Sequence, residues 1–197
     1  MLASLERLLR RRDSKPVAGT SATSSSQGNA TSSLEAARES DIDIFLEAAR
    51  VAAALGQAPW TLRDQTQLDT LERALEFTVH RKLWLQRDND GVQHWQGRLL
   101  ALRHADAPPL GLVLACRPDD EAAWQLRFFC IDKPWQGSGH GARLLLAARR
   151  SLGGVPLRTR LPLACNAAVK SLEAAGFQRM HVDAAEIASF EASAQWD

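Results

Sequence analysis

Residues 136–142 read Gln-Gly-Ser-Gly-His-Gly-Ala and lead into a segment of helical apolar periodicity. Glycines at such a junction let backbone N–H groups approach a ligand with no side chain in the way. The positive end of the helix dipole adds attraction, so the pattern suits a phosphate or another anion. Two phosphate motifs can be tested against it. The nucleotide loop G-x-x-x-x-G-K-[ST] fails, because no Lys-Ser or Lys-Thr follows these glycines. Gly137-x-Gly139-x-x-Ala142 satisfies the dinucleotide pattern G-x-G-x-x-A, with Arg158 and Arg160 available to an NADP 2′-phosphate. Only 55 residues follow Ala142, however, and that fold needs several more strand–helix units. A glycine-rich turn with no ligand is the remaining reading of the loop.

Other chemistry is sparse. Asp88-Asn89-Asp90-Gly91 begins like a calcium loop but lacks the closing glutamate, so it reads as a turn. Cys116, Cys130 and Cys165 form no CxxC pair, which leaves neither a zinc ribbon nor a disulfide framework and no metal site to write. Glu121 in the Asp119-Asp120-Glu121 turn, Asp132 and His104 are titratable groups near strand ends. Lys133, Arg143 and Arg149 could neutralise phosphates. His140, between two glycines, is expected to be exposed and to contribute its backbone.

The elements that must position these residues follow from periodicity. Ile42, Phe45, Leu46 and Ala49 share one face of a helix over about 41–55, stopped by Gly56 and Pro59. Leu68, Leu71, Leu75, Val79 and Leu83 predict a second helix over about 64–86. Residues 97–104, 110–116 and 123–132 are rich in Leu, Val and Phe and are separated by Pro- and Asp-containing turns, which predicts three successive antiparallel strands. A helix over 141–152, a strand over 155–161, a helix over about 166–175 closed by Gly176-Phe177 and a last strand to about Val182 complete the chain. The fold class is α+β, a mixed, mostly antiparallel twisted sheet flanked by helices.

The chain has 197 residues, 24 basic and 23 acidic, so a formal charge of +1 supplies no general field for nucleic acid. No apolar run approaches the roughly 18–20 residues needed for a transmembrane segment. Residues 1–39 read as a disordered tail: a basic amphipathic stretch through Lys15, then nine Ser or Thr among residues 18–33. A domain over 40–197 follows. The free cysteines suit a cytoplasmic location, and the tail leaves targeting or secretion as the alternative.

Gln136-x-x-Gly139-x-Gly141 matches Q/R-x-x-G-x-G/A, and with the strand Phe128-Phe129-Cys130-Ile131-Asp132 before it and Ser171–Met180 after it the chain resembles the GNAT N-acetyltransferase superfamily over about residues 95–182. The resemblance implies acetyl-CoA as co-substrate and acetyl transfer to a primary amine, on a small molecule or a protein, by direct attack. It implies that the backbone of Gln136, Gly137, Ser138, Gly139, His140, Gly141 and Ala142 holds the pyrophosphate. The pantetheine would pair along Phe129 and Ile131, with the Phe129 amide polarising the thioester carbonyl. A homodimer is one assembly compatible with it. Two departures stand out. Relatives carry a tyrosine acid on the late helix where this chain has Leu172, and a carboxylate on the central strand where it has Gln125, so the general base that the resemblance implies falls to Glu121, through a water, or to Asp132 or His104. A non-catalytic acyl-CoA-binding or interaction module of the same fold is therefore the alternative.

Overall fold

The computed structural model describes residues 32–88 and 91–195. In chain order these form β1 (Ser32–Ala36), a 3-10 turn (Glu39–Asp41), α1 (Ile42–Ala54), α2 (Gln65–Arg81), β2 (Leu83–Asp88), β3 (Gly91–His104), β4 (Gly111–Arg117) and β5 (Trp124–Ile131). A second 3-10 turn (Lys133–Trp135), α3 (His140–Ser151), β6 (Leu157–Pro162), α4 (Asn166–Ala174), β7 (Gln178–Val182) and β8 (Ile187–Ala192) follow. The sheet runs β1-β3-β4-β5-β6-β8-β7, and β2 pairs with the N-terminal half of β3 on the edge that β1 shares. All pairings are antiparallel except β5 with β6. The α+β expectation thus holds.

Alternation along the strands sorts side chains into two cores. Leu112, Leu114 and Cys116 of β4 face Phe45 of α1 and Leu71 and Leu75 of α2. Val113 and Ala115 face Leu144, Leu145 and Ala148 of α3 and Leu172 of α4. With helices on both sides, β4 is apolar at successive positions rather than alternating, as a strand covered on both faces must be.

The structure departs from the sequence expectation at several elements, and the first central strand, expected over 97–104, begins at Gly91. The second helix ends at Arg81 because Lys82 adopts a left-handed conformation, φ 58°, that turns the chain into β2, although Leu83 continues the apolar spacing. Residues 32–36 of the expected tail form a strand, because β1 adds to β3 through five residue pairs from Ser32↔His104 to Ala36↔Leu100. The rest of that tail, residues 1–31, lies outside the described residues. β8 inserts between β6 and β7, with Ala188, Phe190 and Ala192 buried at alternate positions.

A buried charge cluster fastens this N-terminal edge. Arg103, 2% exposed, meets the carboxylates of Asp41 and Glu35, and Asp41 also accepts the Arg38 N–H at 2.7 Å. Removing one partner of a buried pair costs about 3–5 kcal/mol when the other charge is left uncompensated; without Asp41, Arg103 keeps the half-exposed Glu35 and the Arg38 N–H loses its acceptor, so the loss falls toward the lower end. Asp41→Ala is expected to lower the melting temperature by many degrees in a thermal unfolding scan, and substituting the exposed Glu47, paired only with Arg50 on α1, to change it little.

Candidate active site

β5 and β6 run together for two residue pairs only, Trp124↔Leu157 and Gln125↔Arg158, and the Thr159 hydroxyl then donates to the Leu126 carbonyl at 2.8 Å. Beyond this point the strands part. The divergence coincides with a β-bulge in β5. Leu114 lies opposite Phe128 and Ala115 opposite Leu126, so Arg127 has no partner in β4. A bulge of one residue shifts the side-chain alternation by one. Trp124 and Leu126 accordingly face the α3/α4 core before it, and Phe129 and Ile131 face that core after it.

The Asp132 N–H donates to the Leu110 carbonyl at 2.9 Å. In an antiparallel ladder this phase makes Phe128 and Cys130 the residues bonded to β4 and turns the N–H and C=O of Phe129 and Ile131 toward the gap. The Gln136 side-chain amide reaches back and donates to the Ile131 carbonyl at 2.9 Å. This bond ties the glycine loop to the end of the open strand edge.

The loop itself supplies donors. Among the described residues, the backbone N–H groups of residues 137–142 have no acceptor, and the first bonded amide is that of Arg143, to the Gly139 carbonyl at 3.3 Å. The glycines serve different purposes. Gly137 and Gly139 have φ of 79° and 78°, left-handed conformations that favour glycine, and a Cβ on either would meet nothing within 4 Å, so the space beside them is open. At Gly141 a Cβ would stand 2.5 Å from Ser171 Oγ, so the third glycine is required by the approach of α4 to α3.

The His140 side chain is buried rather than exposed, with its ring perpendicular to that of Trp135 at 5.9 Å between centroids. Burial, then Arg143 and His104, depress its pKa, so the imidazole is neutral near pH 7. Ser138 and Gln136 are exposed and Ala142 half-buried. Of the three candidate cations, Lys133 and Arg143 are exposed. Arg149 is not free, because its guanidinium donates to the Ala175 carbonyl at 2.6 Å and closes the C-terminus of α4.

The expected acid–base groups do not converge on Phe129. Glu121 sits in the β4–β5 turn, its N–H bonded to Asp119, beyond the start of β5. From Trp124 alone to Phe129 is about 16 Å of strand. Asp132 caps the second 3-10 turn by accepting the Lys133 N–H. The Cys130 thiol is pushed up to about 12 by burial, which makes it an inert apolar group. Leu172 is fully buried in the α3/α4 core. Arg127, which sequence reasoning passed over, lies at the bulge itself, and no residue type in the sequence marks it.

This topology, with a bulged strand parting from its parallel neighbour above a glycine-rich helix start, is the fold of the GNAT acetyltransferases, and solved structures of that fold superpose on the chain. Spermidine N-acetyltransferase from Vibrio cholerae, in complex with CoA and spermine, aligns with a TM-score of 0.59 at 15% identity over 84% of this chain and 97% of that one. Aminoglycoside acetyltransferase AAC(6')-Ib, in complex with coenzyme A, aligns with a TM-score of 0.56 at 13% identity over 83% and 95%. No family model and no curated protein matches the sequence.

The tight contact at Gly141 has a measurable consequence. Gly141→Ala is expected to destabilise by about 1–3 kcal/mol through overpacking. Adding Ser171→Ala should restore part of the loss in thermal unfolding, since it removes the hydroxyl that the new methyl meets first.

Proposed function

We propose that the chain is an acetyl-CoA-dependent N-acetyltransferase acting on a primary amine by direct attack. The observation that carries this reading is the conjunction of an open backbone edge at Phe129 with the row of unpaired amides at residues 137–142, joined by the Gln136–Ile131 bond. The donor set fits coenzyme A: main-chain N–H groups and the N-terminus of α3 suit a pyrophosphate, and an unpaired strand edge suits the amide-bearing pantetheine. The solved neighbours hold CoA and include a complex with spermine, which supports an amine acceptor.

Bound acetyl-CoA would supply the activated acyl group. The chain contributes orientation and a preset donor, the Phe129 N–H, aimed where negative charge grows on the thioester oxygen. Losing one such donor typically costs about 2.7–4 kcal/mol of barrier. Holding amine and thioester together supplies much of the remaining acceleration. Leu172 cannot protonate a leaving thiolate, and the face of β5 turned to α1 carries Gln125, Phe128 and Cys130 rather than a carboxylate. Solvent therefore takes the amine proton and supplies the thiol proton. A cytoplasmic location accords with this reading. Among the described residues no helix is long and apolar enough to cross a membrane.

The buried Leu172 and the amide at Gln125 also favour a second reading, a non-catalytic acyl-CoA-binding module. Thermal unfolding of the full chain separates the cofactor readings. Acetyl-CoA at about 100 times its Kd should stabilise by about 2.7 kcal/mol, a shift of several degrees, and NADP should give none. Stabilisation without amine-dependent CoA release would favour the module, and stabilisation by NADP alone would overturn both readings.

If the enzyme reading holds, log kcat/KM should rise with pH with unit slope. The rise should level only at the acceptor amine's own pKa, because protonated amine is unreactive and no enzyme base intervenes. A plateau set by a lower pKa, the same for acceptors of different basicity, would reveal a base on the protein.

A further inference from the structure

A bulge places two adjacent side chains on one side of a strand. In β5 these are Arg127 and Phe128. Phe128 packs in the α1/α2 core, edge-on to Phe45 at 5.2 Å and tilted against Trp60 of the α1–α2 connection at 5.6 Å. Gln125, whose neighbours Trp124 and Leu126 face the α3/α4 core, lies on this same α1/α2 side, and its Oε1 is 3.5 Å from Arg127 Nη1. The guanidinium thus occupies the side of β5 opposite α3 and the phosphate loop. Along the backbone Arg127 stands two residues, about 7 Å of strand, from Phe129.

Arg127 is half-buried, its Nε is shielded from solvent with no hydrogen-bond partner, and among the described residues it meets no carboxylate. Shielded donors without partners are costly and uncommon in native proteins, so a guanidinium whose only hydrogen bond among the described residues is the long one from Nη1 to Gln125 has donors left for an acceptor, and its charge suits an anion. The nearby α1–α2 connection has a matching character. Trp60, which packs tilted against Phe128, also lines a depression of about 510 Å³ whose only charged lining residue is Arg63. The acidic side chains Glu39, Asp43, Glu72 and Glu76 line a different depression, between α1 and α2 near the N-terminal end of α1.

We infer that Arg127 selects the acceptor: the substrate is a small amine that also carries a carboxylate, which the guanidinium binds while the amine reaches the acyl group at the Phe129 edge. This rests on the acetyltransfer reading and narrows it. It separates the chain from acceptors such as spermine, which carry positive charge alone. A planar guanidinium offers a carboxylate two parallel N–H donors, and the shielded site strengthens both bonds.

The test uses matched pairs that differ only in the carboxylate, namely phenylalanine with phenethylamine, tryptophan with tryptamine and lysine with cadaverine, with spermidine alongside. CoA release is measured for each with the full chain, and binding of each to the CoA-saturated protein is measured by calorimetry. The amino acid of each pair should have a kcat/KM about 10- to 100-fold above its partner, chiefly through KM. Arg127→Gln should collapse that ratio and Arg127→Lys should keep part of it, with acetyl-CoA stabilisation checking that each variant is folded. A wild-type ratio near one, a preference for cadaverine or spermidine, or a ratio that survives Arg127→Gln overturns the inference while leaving acetyltransfer intact. Amino acids that bind in an Arg127-dependent way but are never acetylated uphold the anion site and overturn the enzyme reading. If no member of the panel binds or reacts, the inference is overturned. The wild-type ratios decide the matter even where a variant fails to fold.

Discussion

Everything about the site depends on one irregularity in hydrogen bonding, the place in β5 where Arg127 has no partner in β4. Upstream of it β5 is an ordinary interior strand, paired with β4 on one side and β6 on the other. Downstream its far edge is open. An interior strand with free N–H and C=O groups is unfavourable unless something pairs with them, because buried backbone groups are almost always satisfied. Gln136 meets that demand at Ile131 alone. The same extra residue exchanges the two faces of the strand, so that Phe129 and Ile131 join the α3/α4 core while Arg127 and Phe128 turn to the opposite side.

The glycine loop illustrates how one residue type answers to several constraints at once. Gly137 and Gly139 are set by backbone conformation, and Gly141 by the Ser171 hydroxyl at its back. Only the first two border open space. His140, between Gly139 and Gly141, takes a buried place against Trp135, which directs its side chain inward and leaves the outer surface of the turn chiefly to main-chain groups. Arg149, at the other end of α3, fastens α4 through the Ala175 carbonyl, so the helix that begins at the loop is braced against its neighbour at both ends.

What could be read from the sequence was whatever rests on local signals: the glycines before α3, the apolar stripes of α1 and α2, the three central strands and the Gly176 stop after α4. What could not was decided by distant contacts. β1 is Ser-Ser-Leu-Glu-Ala, a segment with little strand character of its own, held by the edge of β3 and by Arg103. The end of α2 is set by a left-handed lysine, with no glycine to announce it. The bulge has no compositional mark, and with it went both the parting of β5 from β6 and the aim of Arg127. β8 did carry a signal, the alternation of Ala188, Phe190 and Ala192, but it is short and weak because two of the three are alanines.

The Phe129 edge and the amides of residues 137–142 have in common that none of them is a side chain. Every amino acid except proline brings the same N–H, so the hardware of this site is written in the path of the chain and hardly at all in its letters. Such a site tolerates wholesale replacement of its residues so long as a bulge, a helix start and a few small residues keep their places. That accounts for a chain whose backbone superposes on amine acetyltransferases at 12–16% identity while no family model matches its sequence.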